Sequence, residues 1–211
     1  STGFATSGAF GAAPSTDSDS TLLWCIGAPD KSDAEFVGAP DNFNRCPEVV
    51  IFEIGRSLPQ EQWPYMQPGP ADAWAGNKPH NYTICFNLKE KPETLSDCRL
   101  VLYLKNNHKE LPPELTFRLN GQRFTKIQLK PGVGDSLMRG ETHEVPDNIV
   151  EVTVPGSLLE KRNELEIANE NGSWLFYDAV RFYAPQNCRL ALPDADSTSP
   201  QQDFRCYGAT D

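Results

Sequence analysis

Residues 165–183 run LEIANENGSWLFYDAVRFY. Leu165 and Ile167 alternate with Glu164 and Glu166, the two-residue period of a strand with one buried face. The run 168–173 holds two Asn, a Glu, a Gly and a Ser, which predicts a polar turn. Beyond it Phe176, Val180 and Phe182 share one parity, and Tyr177, Ala179, Arg181 and Tyr183 share the other. Two strands joined by a polar turn predict a hairpin. Asp178 falls on the apolar parity between Phe176 and Val180, where a carboxylate is costly unless hydrogen bonds or a cation satisfy it.

The same pattern recurs upstream. Residues 22–27 (LLWCIG) form a short apolar run ended by Gly-Ala-Pro-Asp, and residues 49–54 (VVIFEI) are β-branched enough for a buried strand. Tyr82, Ile84, Phe86 and Leu88 alternate; so do Leu100, Leu102 and Leu104, then Leu115, Phe117 and Leu119, then Val150, Val152 and Val154. Asn120-Gly121 is a strong hairpin signal ahead of Phe124, Ile127 and Leu129. Many short strands with turns between them and no long helical period predict an all-β fold, a β-sandwich. Between residues 55 and 80 the alternation gives way to prolines and aromatics, which predicts a long surface loop of the kind that usually carries function. Residues 1–21 read as a linker or loosely held arm, 22–184 as the sandwich, and 185–211 as a C-terminal extension.

The chain has 211 residues, enough for one domain with a real core, and a formal charge of −10 with a sequence pI near 4.8. That balance opposes a sequence-independent grip on nucleic acid. No apolar run approaches the roughly 20 residues of a membrane-spanning helix. Six cysteines lie at 25, 46, 85, 98, 188 and 206 without zinc-finger spacing. They predict three disulfides and an oxidising, secreted setting; the pairing adopted joins neighbours, Cys25 with Cys46, Cys85 with Cys98 and Cys188 with Cys206. Asn81-Tyr82-Thr83 and Asn171-Gly172-Ser173 are glycosylation sequons that agree with secretion. The opening STGFATSGAF has no signal-like segment, so the chain reads as a mature or excised fragment.

A family resemblance rests on four stretches in order: Trp24-x-Ile26-Gly27-x-x-Asp30 with Glu35-Phe36; Ile54-Gly55-Arg56-Ser57 with Trp63-Pro64; Leu119-Asn120-Gly121; and Trp174-x-x-Tyr177-Asp178-Ala179-x-Arg181. Together they resemble the C-terminal β-sandwich domain of rhamnogalacturonan lyases. The closing strand is also similar to that of galactose-binding-like carbohydrate-binding modules. In those lyases the chemistry is attributed to a large N-terminal domain, and nothing here resembles it. The resemblance therefore implies a fold, an all-β jelly-roll β-sandwich of antiparallel strands, and a carbohydrate context rather than lyase activity.

In that context the candidate ligand-binding residues are Trp63, Tyr65 and Trp74 from the aromatic loop with Asn169, Asn171 and Trp174. Aromatic faces cover the apolar CH patches of a sugar, and amides bond its hydroxyls. Packing competes with binding at Trp63, Tyr65 and Trp74, and Trp24 reads as core. In jelly-roll modules of this kind the first and last strands often adjoin, so Asp30, Asp33, Glu35 and Asp178 are the candidate ligands of a structural calcium ion. The alternative is that Asp30 and Asp33 start turns and Asp178 bonds backbone amides. Arg45, Arg56 and the run 105–109 (KNNHK) are the cations that could meet a uronate. His80, His108 and His143 lie in loop-like sequence with no nucleophile motif nearby.

Three functions follow from this reading. A noncatalytic carbohydrate-binding domain of a secreted polysaccharide-active protein leads: a monomer that tethers a catalytic domain of the same parent chain to a plant cell-wall or related polysaccharide. A self-contained polysaccharide lyase or glycoside hydrolase is second, with His80 as its only testable base. An extracellular protein-interaction domain is third.

Overall fold

The computed structural model describes residues 20–93, 96–133 and 148–193. Most of the predicted arm, Cys206 and most of the C-terminal extension lie outside the described residues, as does His143. Two sheets face each other as a β-sandwich. The first contains β1 (Ser20–Gly27), β10 (Leu175–Pro185), β5 (Cys98–Asn107) and β8 (Asn148–Val154) in that order, with the short β3 (Met66–Gln67) also on β10. The second runs β11 (Leu190–Ala191), β4 (His80–Leu88), β9 (Arg162–Asn171), β6 (Glu114–Leu119), β7 (Gln122–Gln128), with β2 (Val49–Glu53) also on β4. Among the described strands all pairings are antiparallel except β2 with β4, which is parallel and departs from the expected pattern.

The apolar parities read from the sequence meet between the sheets. Trp24 stacks on Phe182 at 5.3 Å and tilts against Phe86 at 5.5 Å, so strands of both sheets share its indole. Burying an aromatic side chain of this size stabilises by about 2–3 kcal/mol through area alone. The Asn120-Gly121 turn joins β6 to β7 with φ of 54° and 79°, the left-handed values that Asn and Gly tolerate best.

Three expectations are corrected. First, 165–183 is no hairpin. β9 pairs with β4 and β6 in one sheet, β10 with β1, β5 and β3 in the other, so the turn crosses between sheets. Alternation shows which face of each strand is buried and leaves open whether two strands share a sheet. Second, the odd parity of Asp178 marks a β-bulge. Tyr177 pairs with Leu104 and Ala179 with Tyr103, leaving Asp178 as the extra residue, and Tyr177 is swung into the core.

Third, no disulfide joins Cys25 to Cys46 or Cys85 to Cys98. Cys85 lies on the half-exposed side of β4 in one sheet, whereas Cys98 is buried at the start of β5 in the other, within the apolar core. Cys25 is buried in β1 opposite Arg181, and Cys46 sits in a loop hollow beside Val37 and Pro64. The expected partner of Cys188, Cys206, lies outside the described residues.

Candidate functional site

At one end of the sandwich a cleft of about 450 Å³ is lined by Phe43, Met66, Ala71, Asp72, Ala73, Trp74, His108, Leu111, Ser173 and Trp174. Four chain segments supply it: the 3-10 turn Phe43–Arg45, the loop after β3, the loop after β5, and the β9–β10 crossover. Trp74 is 43% exposed and Leu111 51%, so apolar surface stands open at the mouth. Phe43 supports Trp74 edge-on at 5.2 Å. Trp174, only 5% exposed, forms the back, stacked on Phe176 at 4.5 Å with the His108 ring against it at 5.5 Å and 72°.

The loops are stitched together by their backbones. Ala71 N–H donates to Gly172 O at 2.9 Å, Ser173 N–H to Leu111 O at 2.9 Å, and His108 N–H to Trp174 O at 3.0 Å. A Cβ on Gly172, which has φ of 82°, would lie 2.5 Å from Pro112 O, so only glycine lets the crossover pass this close. Side chains add cross-braces. Asp72 accepts Gly69 N–H on Oδ2 and the Ser173 hydroxyl on Oδ1. Asn169 donates to Ser173 O at 2.8 Å and to Gln67 O at 3.4 Å. Gln67 donates to His80 O and Ile167 O while accepting the Tyr177 hydroxyl. Buried polar groups that bridge several segments in this way hold the loops in one geometry.

Of the sequence-derived binding candidates, Trp74 and Trp174 line this cleft and the others lie elsewhere. Trp63 is fully buried, edge-on to Phe52, Tyr82 and Tyr177, and Tyr65 packs on Phe176. The proline-rich stretch folds back on the sandwich because Val37 and residues 63–65 exchange backbone hydrogen bonds. Asn169 is a buried brace, and Asn171 is exposed at the crossover, its side chain accepting Gly172 N–H. Asn81 is half-buried near the start of β4. Asp72, Phe43, Leu111 and Ser173 were missed, and His108 entered only as part of the cationic run 105–109 and among the loop histidines. The one sequence signal for them is that 105–109 and 69–77 flank strands ending at the same edge as Trp174.

The cations disperse. Lys105 pairs with Asp33 at 3.1 Å and Arg56 with Glu53 at 3.1 Å, while Arg45 borders the separate hollow at Cys46. His80 is buried in β4 with Nδ1 at 3.0 Å from Lys78 O, and burial holds its pKa below the ordinary range. It does not face the cleft lining.

The first loop and β10 adjoin as expected. Burial pushes the Asp178 carboxyl up to about 6, with the Asp30 and Glu35 charges adding to the rise against backbone hydrogen bonds from Lys31 and Asp30. Burial likewise raises Glu35, which accepts Ala28 N–H at 3.0 Å. Asp178 Oδ1 is buried with no partner, a donor that suits a cation. Asp33, however, is committed to Lys105. Among the described residues, no group of three or more His, Cys, Asp or Glu side chains is placed to hold a metal.

A two-sheet sandwich whose loops gather tryptophans into one open, braced cleft defines a β-sandwich binding module. The chain belongs to the family described as CBM-like, polysaccharide lyase family 4, domain III, whose model matches residues 22–182. It is 28% identical over 169 residues to the rhamnogalacturonate lyase of Dickeya dadantii (strain 3937), covering 75% of this chain and 27% of that enzyme. The chain thus spans about a quarter of that relative's length. Among solved structures it is similar to a family 35 carbohydrate binding module from an environmental isolate, with 14% identity, TM-score 0.36, and 53% and 72% of the two chains covered. It is also similar to the insecticidal delta-endotoxin Cry8Ea1 of Bacillus thuringiensis, with 12% identity, TM-score 0.31, and 53% and 18% covered.

Proposed function

We propose that this domain is a noncatalytic carbohydrate-binding module of a secreted polysaccharide-active protein, and that it binds a plant cell-wall polysaccharide in the Trp74–Trp174 cleft. The observation that carries the reading is the exposed Trp74 face, fixed edge-on by Phe43 and set beside His108 and Ser173. An aromatic plane ringed by a few polar groups is what a pyranose needs, one CH face to cover and hydroxyls to bond. Rhamnogalacturonan is the first polymer to try, because the family and the relative above both belong to polysaccharide lyases. The module's work is tethering: holding a catalytic domain of the same parent chain near its polymer raises the local substrate concentration, so a weak single site suffices.

Calcium stays within this proposal as a structural ion. Asp178, whose Oδ1 is buried without a partner, would supply its carboxylate ligand, and the ion would offset the repulsion from the nearby Asp30 and Glu35 charges. Addition of millimolar calcium would then raise the melting temperature of the wild-type protein and leave that of Asp178→Asn unchanged.

The test of function pairs binding with turnover. The protein is run through gels containing rhamnogalacturonan or control polysaccharides while ultraviolet absorbance and reducing ends are followed. Retardation by one polymer without new products, lost in Trp74→Ala at unchanged melting temperature, supports the module. Products would overturn the noncatalytic reading, and retardation unaffected by Trp74→Ala would move the site away from this cleft.

A further inference from the structure

We propose that His108 is the specificity-determining donor of the cleft, presenting its Nε2–H to an oxygen of the bound sugar; this deepens the carbohydrate-binding reading and rests on it. The ring nitrogen Nδ1 accepts two backbone amides, Glu110 N–H at 3.2 Å and Leu111 N–H at 2.9 Å. A nitrogen that accepts carries no hydrogen, so the imidazole hydrogen sits on Nε2. The ring cannot turn to exchange the two nitrogens without abandoning both amides. It is further held edge-on to Trp174 at 5.5 Å, and its own backbone N–H donates to Trp174 O. Nε2 has no hydrogen-bond partner among the described residues, although His108 is half-buried and lines the cleft that Trp74 opens.

The other polar side chains there are already occupied. Asp72 takes Gly69 N–H and the Ser173 hydroxyl, so the Ser173 proton is committed as well. Apart from the indoles, His108 is left as the lining side chain with a free, oriented donor. A donor fixed before the ligand arrives costs little entropy on binding, and a ligand lacking the matching acceptor leaves it unpaired, which gives selectivity. The ligand class is therefore a saccharide with an apolar CH face for Trp74 and an acceptor oxygen beside it. That oxygen belongs either to a ring hydroxyl or to a uronate carboxylate.

The experiment is calorimetric titration with rhamnogalacturonan oligosaccharides and with the same oligosaccharides after reduction of their uronates to neutral sugars. The proteins are wild type, Trp74→Ala, His108→Asn and His108→Gln. Asn places an oxygen near Nδ1 and keeps the acceptor for the Glu110 and Leu111 amides but lacks the distal donor. Gln places an amide N–H near Nε2. The expected result is an affinity about 10-fold lower for His108→Asn at unchanged melting temperature, with recovery in His108→Gln. A larger loss with native than with reduced sugars assigns the acceptor to the carboxylate, and an equal loss assigns it to a hydroxyl. Wild-type affinity in His108→Asn, with Trp74→Ala still disabling, overturns the role of His108 alone. No binding by the wild-type protein overturns the carbohydrate reading and this inference with it.

Discussion

Replacing Asp178 by Asn should stabilise this protein at neutral pH in the absence of divalent cations. The carboxyl sits at the β10 bulge with Oδ1 buried and unpartnered, and it is pushed from its ordinary 3.8 to about 6 by burial first, then by the Asp30 and Glu35 charges. Holding a carboxyl that far up costs the anionic folded state about 3 kcal/mol at 1.36 kcal/mol per pH unit, and residual solvation brings the measurable part to about 1–2 kcal/mol. The folded pKa is raised, so the folded state binds the proton more tightly than the unfolded chain. The penalty is complete above pH 6 and is relieved as pH falls from 6 towards 4. Asn retains an oxygen for the Lys31 and Asp30 amides and puts an N–H donor where Oδ1 had none. Urea unfolding of both proteins from pH 4 to 7 with EDTA should show the variant ahead by about 1–2 kcal/mol at pH 7, the gap closing near pH 4. A variant less stable at pH 7, or a gap that does not change with pH, would refute the reasoning.

The remaining predictions follow the same bonds and contacts. Trp63→Ala should cost about 3–5 kcal/mol in denaturant unfolding, because its ring fills the space between Phe52, Tyr82 and Tyr177; a surface-exposed ligand-binding tryptophan would cost almost nothing. Gly172→Ala should cost about 1–3 kcal/mol and weaken polysaccharide retardation, since the new Cβ meets Pro112 O at 2.5 Å in a left-handed backbone; unchanged stability would show that the crossover relaxes freely. Treatment with oxidised glutathione should link Cys98 to Cys188, two protein thiols exchanging with one disulfide to give two glutathione thiols. Both are buried in one core, and Cys188 lies close enough to Cys98 to add to the upward push that burial gives its thiol. Peptide mapping that finds Cys188 joined to Cys206 instead would defeat this.

Most of the strand inventory was legible because one-sided burial imposes a period of two, and Leu100, Leu102 and Leu104 or Val150, Val152 and Val154 keep it without interruption. Partnership between strands was not legible. Alternation in Leu165–Ile167 and in Val180–Phe182 is satisfied equally by a hairpin and by a crossover between facing sheets, and only the partner strands, β4 and β6 for β9 but β1, β5 and β3 for β10, decide. The Asp178 anomaly was visible, and its cause, a bulge, was not, since a bulge is defined by the partner strand. Trp74 and Trp174 were readable as candidates because they are aromatics in polar surroundings. Trp63 and Tyr65 misled for the same reason: their prolines indicate loop conformation but carry no information on whether the loop lies on the core.

His108 shows why the polar half of the cleft escaped sequence reading. A histidine among Lys and Asn looks solvated, and its meaning arises only when residues 110 and 111 turn their amides onto Nδ1. Asn169 failed in the opposite sense, an amide of the right chemistry for a hydroxyl that is buried with its N–H donors given to Ser173 O and Gln67 O. The two cases share one physical rule. A polar side chain near a binding end either braces the loops or meets the ligand, and buried hydrogen-bond demand assigns the braces first. In and behind this cleft Asp72, Ser173, Asn169 and Gln67 serve as the braces. They leave a rigid rim from which the Trp74 face and the His108 Nε2–H project, so ligand binding there requires little rearrangement of the protein.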